Sequence, residues 1–186
     1  MNNKIIKSTP FGSVCIVWSG SKDQPLIVNI LLSMPDFPAE NRAVRLFPDS
    51  QKCSCKEIDK IASSISAYLE GENISFPFDI VDISRCSEFQ RSVLRAQYAI
   101  PRGRVSTYGL IAAHVGLAGG ARAVGNVMAA NPFPLIIPCH RTILSGHQLG
   151  GFGGGIEMKQ ALLTNEGVIF DEKGRVICRR LHYAST

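Results

Sequence analysis

Several features that would classify this 186-residue chain at once are missing from it. No apolar run approaches the ~20 residues that a membrane span requires. The start of the chain, with Lys4, Lys7, Ser8 and Pro10, has no apolar stretch of the kind a secretory signal carries. A soluble, cytoplasmic protein without a membrane partner is expected. The 6 cysteines include no C-x-x-C pair, so the usual zinc-knuckle spacing is absent. Only Cys53 and Cys55 are close. Reduced loop thiols are the expectation there, and a metal held with distant partners is the alternative. No internal repeat and no low-complexity tract interrupts the chain. No cofactor and no metal are expected.

What is present describes an ordinary globular protein of one large or two small domains, 45% hydrophobic with a mean hydropathy of +0.10. The net charge of +5 is unevenly placed. Residues 1–84 carry 8 Lys+Arg against 10 Asp+Glu, whereas residues 85–186 carry 12 against 5, and 10 of those 12 cations are arginine. Arginine's planar fork of donors suits phosphate. An arginine-rich half beside a weakly acidic half is the asymmetry expected of a polyanion-binding domain with a companion, although a solvated basic face would look the same.

The pattern divides near residue 84. Residues 13–18 and 26–32 are apolar, β-branched runs separated by a polar turn, as in a hairpin. Residues 34–55 are rich in Pro, Asp, Arg and Ser and read as loops. Ile58, Ile61, Ala62, Ile65 and Leu69 recur at helical spacing, and Gly71 follows as a stop. Residues 71–84 read as a linker or a last strand. Beyond them the chain reads as mostly helical. Ser87 is placed to cap a helix carrying Phe89, Val93, Leu94 and Tyr98 that ends at Pro101 and Gly103. Thr107 is placed to cap a helix over 108–115, and a glycine turn leads to another over 121–130. Two short helices around a glycine turn are a helix-turn-helix candidate, a pattern many helical hairpins share. A later helix is expected over 156–166, with Gly167 as its stop, and a terminal hairpin over 168–178 around Lys173-Gly174. The fold class is therefore a small α/β amino-terminal domain, 1–84, and a mainly α-helical carboxy-terminal domain with a helix-turn-helix, 85–186.

The most informative residues are Pro138-Cys139-His140-Arg141, between an apolar run over 133–137 and the glycine-rich loop 150–155. A cysteine is a nucleophile only as thiolate, which calls for a base and favourable charge. His140 can take the proton and Arg141 can favour the anion. The bland alternative is a buried structural cysteine at the end of a core strand. An imidazole base needs its other nitrogen oriented by an acceptor, and Glu166 is a suitable carboxylate, seven residues after Lys159 on one helical face. Asn131 can pin the strand that presents the cysteine. Arg122 lies near a helix N-terminus, where a cation opposes the macrodipole, and an anionic partner would account for it.

Taken in order, Val105-Ser106-Thr107-Tyr108, Arg122-Ala123-Val124-Gly125, Asn131-Pro132-Phe133-Pro134, Pro138-Cys139-His140-Arg141, the glycine loop, Lys159 and Glu166-Gly167 resemble the O6-alkylguanine-DNA alkyltransferases. Residues 1–84 carry no diagnostic motif of that family. The resemblance implies a DNA repair protein, a methyltransferase that moves an alkyl group from O6 of guanine irreversibly to its own Cys139. It further implies that His140 removes the thiol proton through a water, that Glu166 orients His140, and that Asn131 holds the backbone.

Because the target atom lies inside the duplex, the nucleotide must be rotated out. The resemblance gives Arg122 the vacated stack and Tyr108 the flanking phosphate and the leaving base. Gln90, Gly109 and Ser145 become further DNA contacts. Met128, Pro134, Thr142, Phe152, Gly153 and Lys159 become the pocket for the flipped base. Binding of double-stranded DNA by a monomer, through the minor groove, is implied, and the small residues over 121–130 suit that narrow groove. Phe152 stands where the family commonly has tyrosine, and Gly153 where a bulkier residue often sits, so a roomier pocket is expected. The alternatives are a non-catalytic lesion-binding relative, a regulator whose cysteine senses alkylation, and a Cys-His hydrolase, which would need an oxyanion hole.

Overall fold

The structure, a computed structural model, describes residues 1–6, 9–34 and 36–184. Lys7, Ser8, Pro35 within the expected loop 34–55, and the last two residues of the expected 85–186 domain lie outside the described residues. The chain divides into two compact units, Met1–Ile83 with Pro132–Ile136, and Ser84–Asn131 with Ile137–Thr186.

The first unit is built on a four-stranded sheet in the order β3-β2-β1-β4, from β1 (Asn2–Ile6), β2 (Val14–Gly20), β3 (Pro25–Leu32) and β4 (Gln51–Lys52). β2 pairs antiparallel with β1 and β3, and β4 joins β1 in parallel. The central strand is apolar over Val14, Cys15, Ile16, Val17 and Trp18, all buried, because both of its faces are covered. Cys15 and Val17 pack with Val28, Leu31, Ala39 and Ala43. Burial, aided by the nearby Glu40 charge, pushes the Cys15 thiol up to about 12 and keeps it inert.

A helix α1 (Ala39–Leu46) and the two-residue β4 occupy the span where the composition suggests only loops. The reason is legible afterwards: α1 buries only Ala39 and Ala43, while Val44 and Leu46 are exposed, so its apolar residues do not mark a buried face. Helix α2 (Lys56–Leu69) follows its sequence periodicity, burying Ile58, Ile61, Ala62, Ile65, Tyr68 and Leu69, and Gly71 ends the turn beyond it at φ 103°. The Trp18 indole donates to the Cys53 carbonyl at 3.2 Å. The Pro132 carbonyl accepts from Ile30 N at 2.7 Å on β3.

The second unit is mainly helical. Helix α3 (Glu88–Tyr98) starts in a capping box: Ser87 Oγ accepts from Gln90 N while Gln90 Oε1 accepts from Ser87 N. Strand β5 (Ser106–Thr107) leads directly into α4 (Tyr108–His114), which Thr107 caps by accepting from Leu110 N. A glycine turn then leads to α5 (Ala121–Ala129), packed on α4 and α3. After the 3-10 turn Cys139–Arg141, β6 (Thr142–Ile143) pairs in parallel with β5. Helix α6 (Ile156–Asn165) follows, and β7 (Ile169–Phe170) and β8 (Val176–Ile177) form the antiparallel terminal hairpin. Val105, Ile143, Leu149, Leu163, Val168 and Val176 make the core between these pieces. Among the described residues no helix is long and apolar enough to cross a membrane, and no group of three or more His, Cys, Asp or Glu is placed to hold a metal ion.

Candidate active site

The apolar run ahead of the cysteine is not a strand. Residues 132–138 are turns, with Leu135 buried in a left-handed conformation at φ 73°, and Cys139–Arg141 is one turn of 3-10 helix. Cys139 N donates to the Ile137 carbonyl at 2.8 Å and Arg141 N to the Pro138 carbonyl at 2.9 Å. Asn131 fixes the approach: its Nδ2 donates to the Ile137 carbonyl at 3.0 Å. The sequence expectation that Asn131 pins the backbone near the nucleophile therefore has a geometric basis, on a turn instead of a strand.

Behind the cysteine lies a buried polar triad. Glu166, at the C-cap of α6, accepts from His140 Nε2 at 3.0 Å. It also accepts from Arg141, from Nε at 2.9 Å and Nη2 at 2.8 Å. Burial opposes the charge on Glu166, but the hydrogen bonds and charges of His140 and Arg141 outweigh it and hold the carboxyl well below the usual carboxylate range. Burial pushes His140 in the other direction, below the ordinary imidazole value, against the pull of Glu166. An ionised Glu166 can only accept, so Nε2 of a neutral His140 carries the proton and the buried Nδ1 holds the lone pair. His140 is thereby set up as a base on the side away from Glu166.

Adjacency in sequence suggests that Arg141 favours the cysteine anion; the structure assigns that cation to Glu166 instead. Arg141 directs its donors to the Glu166 carboxylate and to the Ile100 carbonyl. The cation that acts on Cys139 is Lys159. It is fully buried on α6, donating to the Thr142 carbonyl at 2.6 Å and the Gly151 carbonyl at 3.3 Å. Burial lowers its pKa to about 8, with the Cys139 charge opposing that fall. Burial raises the Cys139 thiol, and the Asn131 hydrogen bond, the Lys159 charge and the local backbone N–H groups pull it back.

Cys139 opens into a pocket of about 290 Å³ lined also by Tyr108, Gly125, Met128, Ala129, Gly151, Phe152 and Gly153. Phe152 stands edge-on to His140, with ring centroids 6.1 Å apart. The loop approaches Tyr108 closely at Gly150: at φ 69°, a β-carbon there would lie 3.3 Å from Leu144 and 3.6 Å from the Tyr108 hydroxyl. Burial, followed by the Cys139 charge, raises the Tyr108 phenol, so it stays a proton donor.

A family model described as the 6-O-methylguanine DNA methyltransferase DNA-binding domain matches residues 88–168. The chain is 42% identical over 111 residues to a methylated-DNA–protein-cysteine methyltransferase of Methanothermobacter thermautotrophicus, a match over 60% of this chain and 62% of that relative's length. To the protein of that name from Mycobacterium leprae it is 35% identical over 159 residues, 85% of this chain and 88% of the relative. The chain belongs to the methylated-DNA–protein-cysteine methyltransferase family. A crystal structure of the Mycobacterium tuberculosis OGT in complex with DNA superposes with a TM-score of 0.69 at 30% identity, covering 89% of this chain and 92% of that one.

Within this family member, the structure gathers Cys139, His140, Glu166 and Asn131 into one cluster, and Tyr108, Met128, Phe152 and Gly153 around one pocket. Arg122 is exposed as the second residue of α5, Gly109 is exposed on α4, and Ser145 is exposed between β6 and the glycine loop. Others of the expected residues fall elsewhere. Gln90 is occupied in the capping box of α3. Pro134 is buried within Pro132–Ile136, part of the first unit. Thr142 does not line the pocket; its hydroxyl donates to Gln97 and its carbonyl accepts Lys159. Lys159 stands behind the loop. The sequence reading noted Gly125, Ala129 and Gly151 only as small residues and did not place them at the pocket, since a hydrogen or a methyl group announces no role there, and it missed Gln97, a polar residue on the apolar face of α3.

Proposed function

We propose that this methyltransferase repairs duplex DNA by moving an alkyl group from O6 of guanine to Cys139, irreversibly and once per protein. The observation that carries the reading is the single arrangement of Cys139 at a pocket of about 290 Å³ with His140 and Glu166 buried behind it. His140 takes the thiol proton at Nδ1 through a water. The thiolate attacks the alkyl carbon, the carbon–O6 bond breaks, and guanine leaves with the electron pair, which the Tyr108 hydroxyl meets with a hydrogen bond. A soft sulfur anion suits this substitution, and the thioether formed does not hydrolyse.

In this reading residues 85–186 form the catalytic and DNA-binding domain and residues 1–84 its α/β companion. α4 and α5 act as a helix-turn-helix whose second helix enters the minor groove, where Ala121, Ala123, Gly125 and Ala129 leave room for close approach. Arg122 fills the stack vacated by the flipped nucleotide, and Gly109 and Ser145 flank the DNA. The protein works as a monomer, without cofactor, in the cytoplasm. Phe152 and Gly153 leave the pocket able to take larger alkyl groups; a β-carbon at Gly153 would meet nothing within 4 Å.

Incubation with a duplex bearing one O6-methylguanine, followed by nucleoside analysis, tests the reading. Guanine restored one-for-one with protein is the expected result. Restoration that continues past one equivalent, or none at all, overturns it.

A further inference from the structure

The turn that carries Cys139 has little to hold it in place by itself. Its backbone bonds run from Cys139 N to the Ile137 carbonyl, from Arg141 N to the Pro138 carbonyl and from Thr142 N to the Cys139 carbonyl, and 3-10 bonds have poorer geometry than those of an α-helix. The last turn of α3 adds to the holds that Asn131, Glu166 and Lys159 already provide. Gln97 is fully buried there, on the face that otherwise carries Val93, Leu94 and Ala96. Its Nε2 donates to the Pro138 carbonyl at 2.6 Å, and its Oε1 accepts from the Thr142 hydroxyl. A carbonyl can only accept, which fixes the amide's orientation. Three residues on, the Ile100 carbonyl accepts from Arg141 Nη1 at 2.6 Å.

Pro138 immediately precedes the nucleophile, and Thr142 immediately follows Arg141. One side chain therefore grips both ends of the Cys139–Arg141 turn. Thr142 is also the residue whose carbonyl receives Lys159, so the same grip extends to the group that ties down the Gly151 carbonyl of the pocket loop. An apolar residue would fill this helix face without the demand for two partners that a buried amide makes. The placement is accounted for if the partners are what matter.

We infer that Gln97 is a positioning residue: it clamps Pro138 and Thr142 so that the Cys139 sulfur faces the alkyl carbon in line. The inference rests on the proposed alkyl transfer. Displacement at carbon requires sulfur, carbon and leaving oxygen to be collinear, and a shift of about 1 Å in such a group can slow a reaction by about 100-fold.

The test uses Gln97→Met, which keeps length and removes both bonds. Three quantities are measured: the transfer rate at saturating O6-methylguanine duplex, the duplex affinity, and the rate at which iodoacetamide labels Cys139. Iodoacetamide needs the thiolate but not the in-line placement of a pocket-bound base. The expected result is transfer slowed by about 10- to 100-fold, with affinity and iodoacetamide labelling at the parent's values. A purely structural role would lower all three together and overturn the inference, as would transfer at the parent's rate. Should Gln97→Met not fold, as judged by circular dichroism, Thr142→Val and Thr142→Ser take its place. Slow transfer with valine, recovered by serine's hydroxyl, supports the clamp; equal rates for the two overturn it. A parent protein that transfers nothing overturns the proposed function itself, which a fast Gln97→Met variant would leave standing.

Discussion

Replacing Glu166 with glutamine changes one atom and removes the charge that organises two side chains, His140 and Arg141. In the parent, the carboxylate accepts from His140 Nε2 at 3.0 Å and from Arg141 at 2.8 and 2.9 Å, with the Glu166 side chain only 1% exposed. The glutamine oxygen can still accept from Arg141, but its amide then presents a donor to His140 Nε2. That reverses the imidazole: the proton moves to Nδ1, and the lone pair that should receive the thiol proton is lost. Loss of a positioned general base slows a reaction by about 10²–10⁴-fold, and this is the loss expected for transfer from duplex at pH 7.

Stability should fall as well, because Arg141 keeps its charge in a buried setting; removing one partner of a buried pair typically costs about 3–5 kcal/mol, and the retained Ile100 contact argues for the lower end. The pH dependence follows from the depressed carboxyl. A group whose folded pKa lies below its unfolded value stabilises the fold above the unfolded pKa, here near 4.5, and that contribution is lost as pH falls toward the folded value. The parent should lose stability progressively below about pH 4.5, and Glu166→Gln should lack that part of the acid limb. Urea denaturation at pH 7 and pH 4 measures the second effect, single-turnover transfer the first. A Glu166→Gln variant that transfers at the parent's rate would refute the assignment of His140 Nδ1 as base.

Lys159→Met should raise the pH at which iodoacetamide labels Cys139, since the ammonium, present below about pH 8, favours the thiolate; an unchanged profile would remove Lys159 from the electrostatics of the site. Arg122→Ala should leave the reaction with free O6-benzylguanine intact and slow repair of duplex by about 10- to 100-fold, the equivalent of the few kcal/mol at stake in unstacking a nucleotide; equal losses on both substrates would contradict its role in the stack. Methyl- and benzylguanine should inactivate the protein at comparable rates if Phe152 and Gly153 leave the pocket roomy, and rejection of the benzyl base would show otherwise. Ser87→Ala removes half of the α3 capping box and should cost about 1 kcal/mol in thermal denaturation without changing the transfer rate.

Strong periodicity and explicit caps were readable in the sequence: α2 from its 3.6-residue repeat, α3 and α4 from Ser87 and Thr107. α1 was not, because only its alanines face inward while Val44 and Leu46 face solvent. The run over 133–137 has a strand's composition, yet Leu135 at φ 73° and the flanking prolines turn it, so the nucleophile sits on a 3-10 turn. Cys139 and His140 stood out as an adjacent thiol and imidazole, and Glu166 as a carboxylate able to orient that imidazole, independently of the family motif. The cation could not be read from adjacency: Arg141 is engaged by Glu166 and the Ile100 carbonyl, whereas Lys159, twenty positions on, returns to the nucleophile through α6. Gln97 carried no sequence signal because one polar residue on an apolar helix face resembles noise until its two partners are seen.

The central claim is that Cys139 receives the alkyl group. Intact-protein mass spectrometry with peptide mapping, after incubation with a duplex containing one O6-methylguanine, tests it directly. The account predicts a gain of one methyl, confined to Cys139 and saturating at one per protein. Protein that binds the duplex while Cys139 stays unmodified would contradict it.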